Sequence, residues 1–309
     1  MARSLLTLND ITREELQTIF DQAGILKADI KQRKTILGLQ NRVVGLLFEK
    51  PSTRTRASFE VAALRLGGQA VYLSSGELQL KRGEPVKDTA RILGSYLDAL
   101  VARVYDHQTV EELAVHAGVP VINGLSDFSH PTQAVCDLFT ILEVRGTLEG
   151  LTLAYIGDGN NVCRSLLMCC ALSGMNITVA SPQGYQPDPE TLRNAGAAAR
   201  QSGSRIRIVE DPREAAEGAD ILYTDVWVSM GEEKEKEEKI KAFYGYQINS
   251  ELLKRAAPNA RVMHCLPAYR GLEITDDVLE GPQSIAWQQG ENKMHGAAAI
   301  LSFFLSSEQ

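Results

Sequence analysis

The sequence predicts an α/β fold of two doubly wound, parallel-sheet domains. Three observations carry that expectation. Short apolar runs alternate with helix-length amphipathic stretches almost throughout, which is the pattern of βα units. The length, 309 residues, suits two domains of about 150 residues each. Leu138–Glu149 reads as a helix and its exit, and a fresh βα series starts at Leu151, so a domain boundary is expected near there.

Taken in chain order, the strands are expected at Val43–Phe48, Gln69–Leu73, Ala99–Tyr105, Val119–Asn123, Leu151–Ile156, Ile177–Ala180, Ile206–Val209, Ile221–Thr224, Arg261–Cys265 and Ser284–Trp287. Most are separated by enough chain for a helix, as a parallel crossover requires. Asn292–Leu305 reads as a final helix, apolar on one side. The charge run Glu232–Lys239 reads as a solvated helix or loop.

Composition narrows the function. The chain is 44% hydrophobic and 23% charged, as in ordinary globular proteins. A net charge of −7 argues against nucleic acid or an anionic membrane as the main partner, so an anion must be caught by a local positive site. No apolar run approaches the roughly 18 residues of a membrane span, and acids at Asp10, Glu14 and Glu15 come too early for a targeting segment. Five cysteines, with no C-x-x-C pair, favour a reducing, cytoplasmic setting. Cys163, Cys169 and Cys170 lie in an apolar helical stretch and read as packing residues.

The densest chemical signal is FEKPSTRTRASFE, residues 48–60. Pro51 stops a strand, and Ala57, Val61 and Leu64 then fall at helical spacing until Gly67-Gly68. Pro51–Thr55 is therefore a strand-to-helix loop, where free N–H groups and the helix dipole favour an anion. One cap needs one hydroxyl, yet Ser52, Thr53 and Thr55 supply three, and an arginine adds a planar fork for phosphate oxygens. Arg54 and Arg56, two residues apart at a helix start, cannot both face one ligand, so one of them is expected to be structural.

Three further motifs stand in order: HPTQ at His130–Gln133, DVWVSMG at Asp225–Gly231 and HCLP at His264–Pro267. GDGNN at Gly157–Asn161 resembles the start of a dinucleotide fingerprint. However, Val162 replaces the third glycine, and the next strand ends in Ala180-Ser181-Pro182 with no acid for a ribose, which disfavours a NAD-dependent dehydrogenase. A Cys265–His264 nucleophile pair is also disfavoured, because neighbouring side chains on a strand point to opposite faces.

STRTR, HPTQ, DVWVSMG and HCLP together resemble the aspartate and ornithine carbamoyltransferase family, the last two motifs its ornithine branch. The resemblance implies transfer of the carbamoyl group of carbamoyl phosphate to L-ornithine, giving L-citrulline and phosphate, with no cofactor and no metal. It implies a carbamoyl-phosphate domain over residues 1–147 and an ornithine domain over 148–290, with an active-site cleft between them. A C-terminal helix, 291–309, packs back on the first domain. By resemblance, Ser52, Thr53, Arg54 and Thr55 hold the phosphate, while Arg103, His130 and Thr55 polarise the carbonyl and Gln133 contacts the carbamoyl amide. Gln79 reaches a neighbouring subunit's phosphate site in a homotrimer. Asn161 takes the α-carboxylate of ornithine, and Asp225 and Ser229 its α-ammonium, with Met230 near the carboxylate. Cys265 and the Leu266 carbonyl lie beside the reacting amine and carbamoyl group, and Asp225 and Cys265 guide its proton. Lys293 stands where the family carries an arginine that contacts carbamoyl phosphate, and Lys81 where it carries glycine. Aspartate, putrescine and N-acylated ornithine remain as alternative acceptors, and a non-catalytic binding protein as an alternative of another class.

Overall fold

A computed structural model describes residues 2–306 except 75, 77, 79–82, 230 and 232. Nine strands form two sheets among the described residues. They are β1 (Val43–Phe48), β2 (Gln69–Ser74), β3 (Ala99–Arg103), β4 (Val121–Leu125), β5 (Thr152–Ile156), β6 (Asn176–Ala180), β7 (Ile206–Val209), β8 (Ile221–Thr224) and β9 (Arg261–His264). The first sheet has the order β2-β1-β3-β4 and the second β7-β6-β5-β8-β9, with every pairing parallel. The α/β class and both parallel sheets match the expectation from the sequence.

The chain divides into two compact units, Met1–Phe139 with Glu291–Gln309, and Thr140–Gly290. In the first, Leu47, Leu100, Ala102 and Val121 of the sheet pack with Ala90, Val110 and Leu113 of its helices. In the second, Ala154, Ile156, Leu222 and Val262 pack with Ala216, Phe243 and Leu279. Apolar strands buried by crossover helices explain why these runs are nearly continuous in hydrophobicity rather than alternating.

Local chemistry sets the element ends. The helix Thr53–Arg65 starts at Ser52, whose hydroxyl accepts from Thr55 N at 3.2 Å. It stops at Gly67, whose φ of 81° is a left-handed conformation that disfavours other residues. Asn160 and Asp188 cap later helices in the same way.

One expectation fails and another holds only in part. Ser284–Trp287 is not a strand. Ser284 makes only an isolated bridge to Val262, after which a helix runs from Ala286 to Ser306. Ser284 Oγ accepts from Ala286 N at 3.4 Å, so the hydroxyl that resembles strand polarity is a helix-starting group. The charge run is not wholly solvated either: Lys239, on the helix Lys236–Ala242, is 3% exposed.

Within the first unit, the helix Pro131–Arg145 meets the helix ending at Ser306 at Gly296, where an added Cβ would collide with Cys136 Sγ. Overpacking of this kind costs about 1–3 kcal/mol. Gly296→Ala should therefore lower the denaturant midpoint, and Cys136→Ala in the same chain should restore most of it. An unchanged midpoint in the single variant would show that these helices separate freely.

Candidate active site

A parallel sheet places all its carboxyl strand ends on one edge, and ligand crevices open where the strand order reverses. In the first unit the order reverses between β1 and β3. The loop after β1 carries Ser52–Thr55, and Arg103 closes β3, in register with Phe48. Thr55 is 1% and Arg103 5% exposed. Ser52 accepts from Thr55 N, which leaves the N–H groups of Thr53 and Arg54 with no acceptor among the described residues. Thr53 and Arg54 are exposed. Arg56 is held instead, by Glu60 at 3.3 Å and with its guanidinium 3.5 Å from the centre of the Tyr72 ring.

His130 arrives from the loop after β4. Asn123, not flagged from sequence, pins that loop: its Nδ2 donates to Leu6 O, Ser126 Oγ and Ser129 O. His130 is 3% exposed, and its Nδ1 lies 3.4 Å from the Thr132 hydroxyl. Burial pushes its pKa well below the usual 6.5, and the positive charges of Lys293 and Arg103 push the same way. The ring is therefore neutral near pH 7 and presents one N–H donor.

Gln133 follows one turn later, 2% exposed. Its Nε2 donates to Asp137 Oδ1 at 2.7 Å, and its Oε1 accepts from Lys293 Nζ. Lys293 is 8% exposed, and its backbone carbonyl accepts from the Cys136 thiol at 3.8 Å. Burial pushes that thiol's pKa up to about 12, so Cys136 is a packing group, not a nucleophile.

In the second unit the reversal lies between β5 and β8. There GDGNN follows β5 and Asp225 follows β8. The central connection is Asn160, which sequence reasoning missed in favour of Asn161. Its Oδ1 accepts from Val162 N and Cys163 N at 3.0 and 3.1 Å and from the Tyr155 hydroxyl at 3.3 Å. Its Nδ2 donates to Asp225 Oδ2 at 3.0 Å. Two N–H groups that a pyrophosphate would use are thereby taken, which weakens the dinucleotide reading further. The only signal available in sequence was an asparagine at a helix start.

Asp225 is 7% exposed and gathers three donors among the described residues. Besides Asn160, these are Val226 N at 2.8 Å and the Cys265 thiol, also at 2.8 Å. Asn161, Ser229, Cys265 and Leu266 are half-buried. His264 turns away from Cys265. Its Nδ1 accepts from Leu266 N at 2.8 Å, so its Nε2 carries the proton and donates to Glu273 Oε1 at 3.1 Å. That pair holds Leu266, whose φ is 57°. Beside GDGNN, Asp158 forms an ion pair with Lys239 at 2.6 Å, their side chains 11% and 4% exposed. Gln79, Lys81 and Met230 lie outside the described residues. Among the described residues no cluster of three or more His, Cys, Asp or Glu is placed to hold a metal.

Two family descriptions match the chain. That of the aspartate/ornithine carbamoyltransferase, carbamoyl-P binding domain, matches residues 3–143. That of the same family's Asp/Orn binding domain matches residues 149–304. The ornithine carbamoyltransferase of Pyrococcus abyssi is 50% identical over 303 residues, 98% of this chain and 96% of that protein. Among solved structures, ornithine carbamoyltransferase from Pyrococcus furiosus superposes with a TM-score of 0.96 at 48% identity, covering 100% of this chain and 98% of that one. Anabolic ornithine carbamoyltransferase from Campylobacter jejuni gives a TM-score of 0.93 at 40% identity, with both chains fully covered.

The Lys239–Asp158 pair joins the helix beyond Ser229 to the turn that carries Asn160 and Asn161. Removing one member of a buried pair leaves an uncompensated charge, at about 3–5 kcal/mol. Lys239→Met should lose stability on that scale in denaturant unfolding, and Lys239→Met with Asp158→Leu should recover much of it. A loss below about 1 kcal/mol in the single variant, the range of exposed pairs, would mean that water reaches the carboxylate.

Proposed function

The chain belongs to the aspartate/ornithine carbamoyltransferase family, and from that membership we propose that it carbamoylates the side-chain amine of L-ornithine, using carbamoyl phosphate and releasing L-citrulline and phosphate. The observation that carries the choice of acceptor is Asp225, a buried carboxylate that takes the Cys265 thiol and Asn160 as donors. A carboxylate at the carboxyl end of β8 suits a cationic amino acid. Aspartate would bring a second carboxylate there, and the buried Lys239 is already paired with Asp158. The anabolic naming of relatives from Pyrococcus furiosus and Campylobacter jejuni supports a place in arginine biosynthesis.

In this reading the phosphate sits on Ser52, Thr53, Arg54 and Thr55, where the helix start offers unpaired N–H groups. Attack on the carbamoyl carbon builds negative charge on its oxygen. Arg103, Thr55 and neutral His130 are the fixed donors for that charge, and one such donor is typically worth on the order of 10²–10³ in rate. Gln133 faces the carbamoyl nitrogen. Asn161 and Ser229 hold the ends of the amino acid, and Cys265 and the Leu266 carbonyl flank its side-chain amine. That amine, with an ordinary pKa near ~10, must be neutral to attack. The C–N bond forms as the C–O bond to phosphate breaks, and Asp225 takes the surplus proton from nitrogen.

Two properties complete the proposal. Leu64 and Val61 on the helix after the phosphate loop, with Val71 on the edge strand β2, leave apolar surface exposed on the first unit. Such surface supports a homotrimer. The five cysteines are free, four of them buried, which fits a cytoplasmic, reducing compartment.

The direct test is turnover. The purified protein should form citrulline from ornithine and carbamoyl phosphate and should prefer ornithine to aspartate, putrescine and acetylornithine. Faster turnover of any of the other three would overturn the acceptor assignment. A second test concerns the proton. Because His130 is held neutral, the rise in kcat/KM for ornithine between pH 6 and about 8 belongs to the amine. His130→Asn should lower kcat on the order of 10²–10³ while leaving the midpoint of that rise in place. A midpoint that moves with the substitution would assign the titration to His130 instead.

A further inference from the structure

Gln133 is gripped from both ends by groups of opposite kind. Lys293 Nζ donates to its Oε1, and Asp137 Oδ1 accepts from its Nε2 at 2.7 Å. All three side chains are more than nine-tenths buried, at 2% exposure for Gln133, 8% for Lys293 and 0% for Asp137. An ammonium has only donors, and an ionised carboxylate has only acceptors. Rotating the amide by half a turn would set N–H against the ammonium and carbonyl oxygen against the carboxylate. Each mismatch would leave a buried polar group facing a like partner, and the charge on that partner makes this the more unfavourable. The amide therefore has one orientation, with oxygen toward Lys293.

The two ends differ in what they face. Asp137 lies one turn further into the helix Pro131–Arg145 and is fully buried. Lys293 lies close enough to His130 for its charge to depress that ring's pKa. The amide oxygen is thus on the His130 side, and it keeps a second lone pair after accepting from Lys293.

We propose that Lys293 and Asp137 are specificity-determining positioning residues: by fixing the flip of Gln133 they present an acceptor to the acyl group of the substrate, and so select an acyl phosphate bearing N–H over one bearing a methyl group. Lys293 then acts on the substrate through Gln133. This rests on the reading of the first unit as a carbamoyl-phosphate site.

The experiment measures binding of carbamoyl phosphate and of acetyl phosphate, which carries methyl in place of NH₂, to the full chain by calorimetry. The wild type should prefer carbamoyl phosphate. In Lys293→Met with Asp137→Asn, where neither end fixes the amide, the ratio of the two dissociation constants should fall at least tenfold. Loss of a cation near the phosphate weakens both ligands alike, so the ratio isolates the effect on the acyl group. Either substitution alone should lower the ratio less, because the remaining partner still disfavours the flipped amide. Lys293→Arg with Asp137 intact should keep the wild-type ratio. Equal weakening of both ligands in the double variant would make Lys293 a plain anion attractor and sink the inference. A wild type that binds neither acyl phosphate would remove the functional reading itself, and the inference with it.

Discussion

In a parallel sheet every carboxyl strand end lies on the same edge, and a reversal of strand order leaves a gap there that no crossover helix covers. That constraint governs both units of this protein. Between β1 and β3 the gap receives the phosphate loop and Arg103, and between β5 and β8 it receives Asn160, Asn161 and Asp225. Local bonds such as those of Ser52, Asn160 and Asp225 orient side chains, but they do not bring the groups of one edge together. Each is delivered by a strand whose apolar run is buried, so the sheet must form before the chemistry exists. The core residues of the strands are thus indirect requirements for binding, even though they touch no ligand.

A second principle follows from burial. Polar groups at these edges are out of water, and each needs a partner that costs less than hydration. The first unit meets this with the series Lys293, Gln133 and Asp137, in which charges at both ends are bridged by one neutral amide. The second meets it with Asp158 against Lys239, and with Asp225 under three donors. Such arrangements add little net stability compared with an apolar core of the same volume. What they add is direction. A glutamine in an apolar pocket would sample both flips, whereas one between an ammonium and a carboxylate has a single orientation.

The same distinction separates what was legible in the sequence from what was not. Nine of the ten expected strands are present, because a buried parallel strand writes itself as a local apolar run. The tenth, Ser284–Trp287, failed because a four-residue run cannot be told from a helix start by periodicity alone. The loop at Ser52–Thr55 was readable because proline, hydroxyls and helical spacing are all local. Lys239 was misread because its partner, Asp158, is 81 residues away, and a charge run looks solvated when a buried member of it cannot be picked out. Lys293 and Gln133, 160 residues apart, show the same limit. Lys293 was noticed as a departure from a family pattern, but its contact with the amide is a fact of tertiary structure. Asn160 was passed over for the neighbouring Asn161, because two adjacent asparagines at a helix start differ only in which one adopts the cap geometry.

A chain of net charge −7 holds, in the proposed reading, an anionic acyl phosphate. Net charge acts weakly here, since exposed charges beyond about 8–10 Å are screened at physiological salt. Local groups decide: among the described residues the buried cations of the first unit are Lys27, Lys50, Arg103 and Lys293, with Arg54 at the surface. Asp137, at the far end of Gln133, offsets part of the Lys293 charge. His130 is kept neutral by burial and by the charges of Lys293 and Arg103. Had it been protonated, three positive charges would be crowded together without solvent, and one of them would vary with pH. A neutral ring still donates one hydrogen bond to a developing oxyanion. The anion is thus met by cations and by a neutral donor, His130, and in the proposed reading the pH dependence is left to the incoming amine.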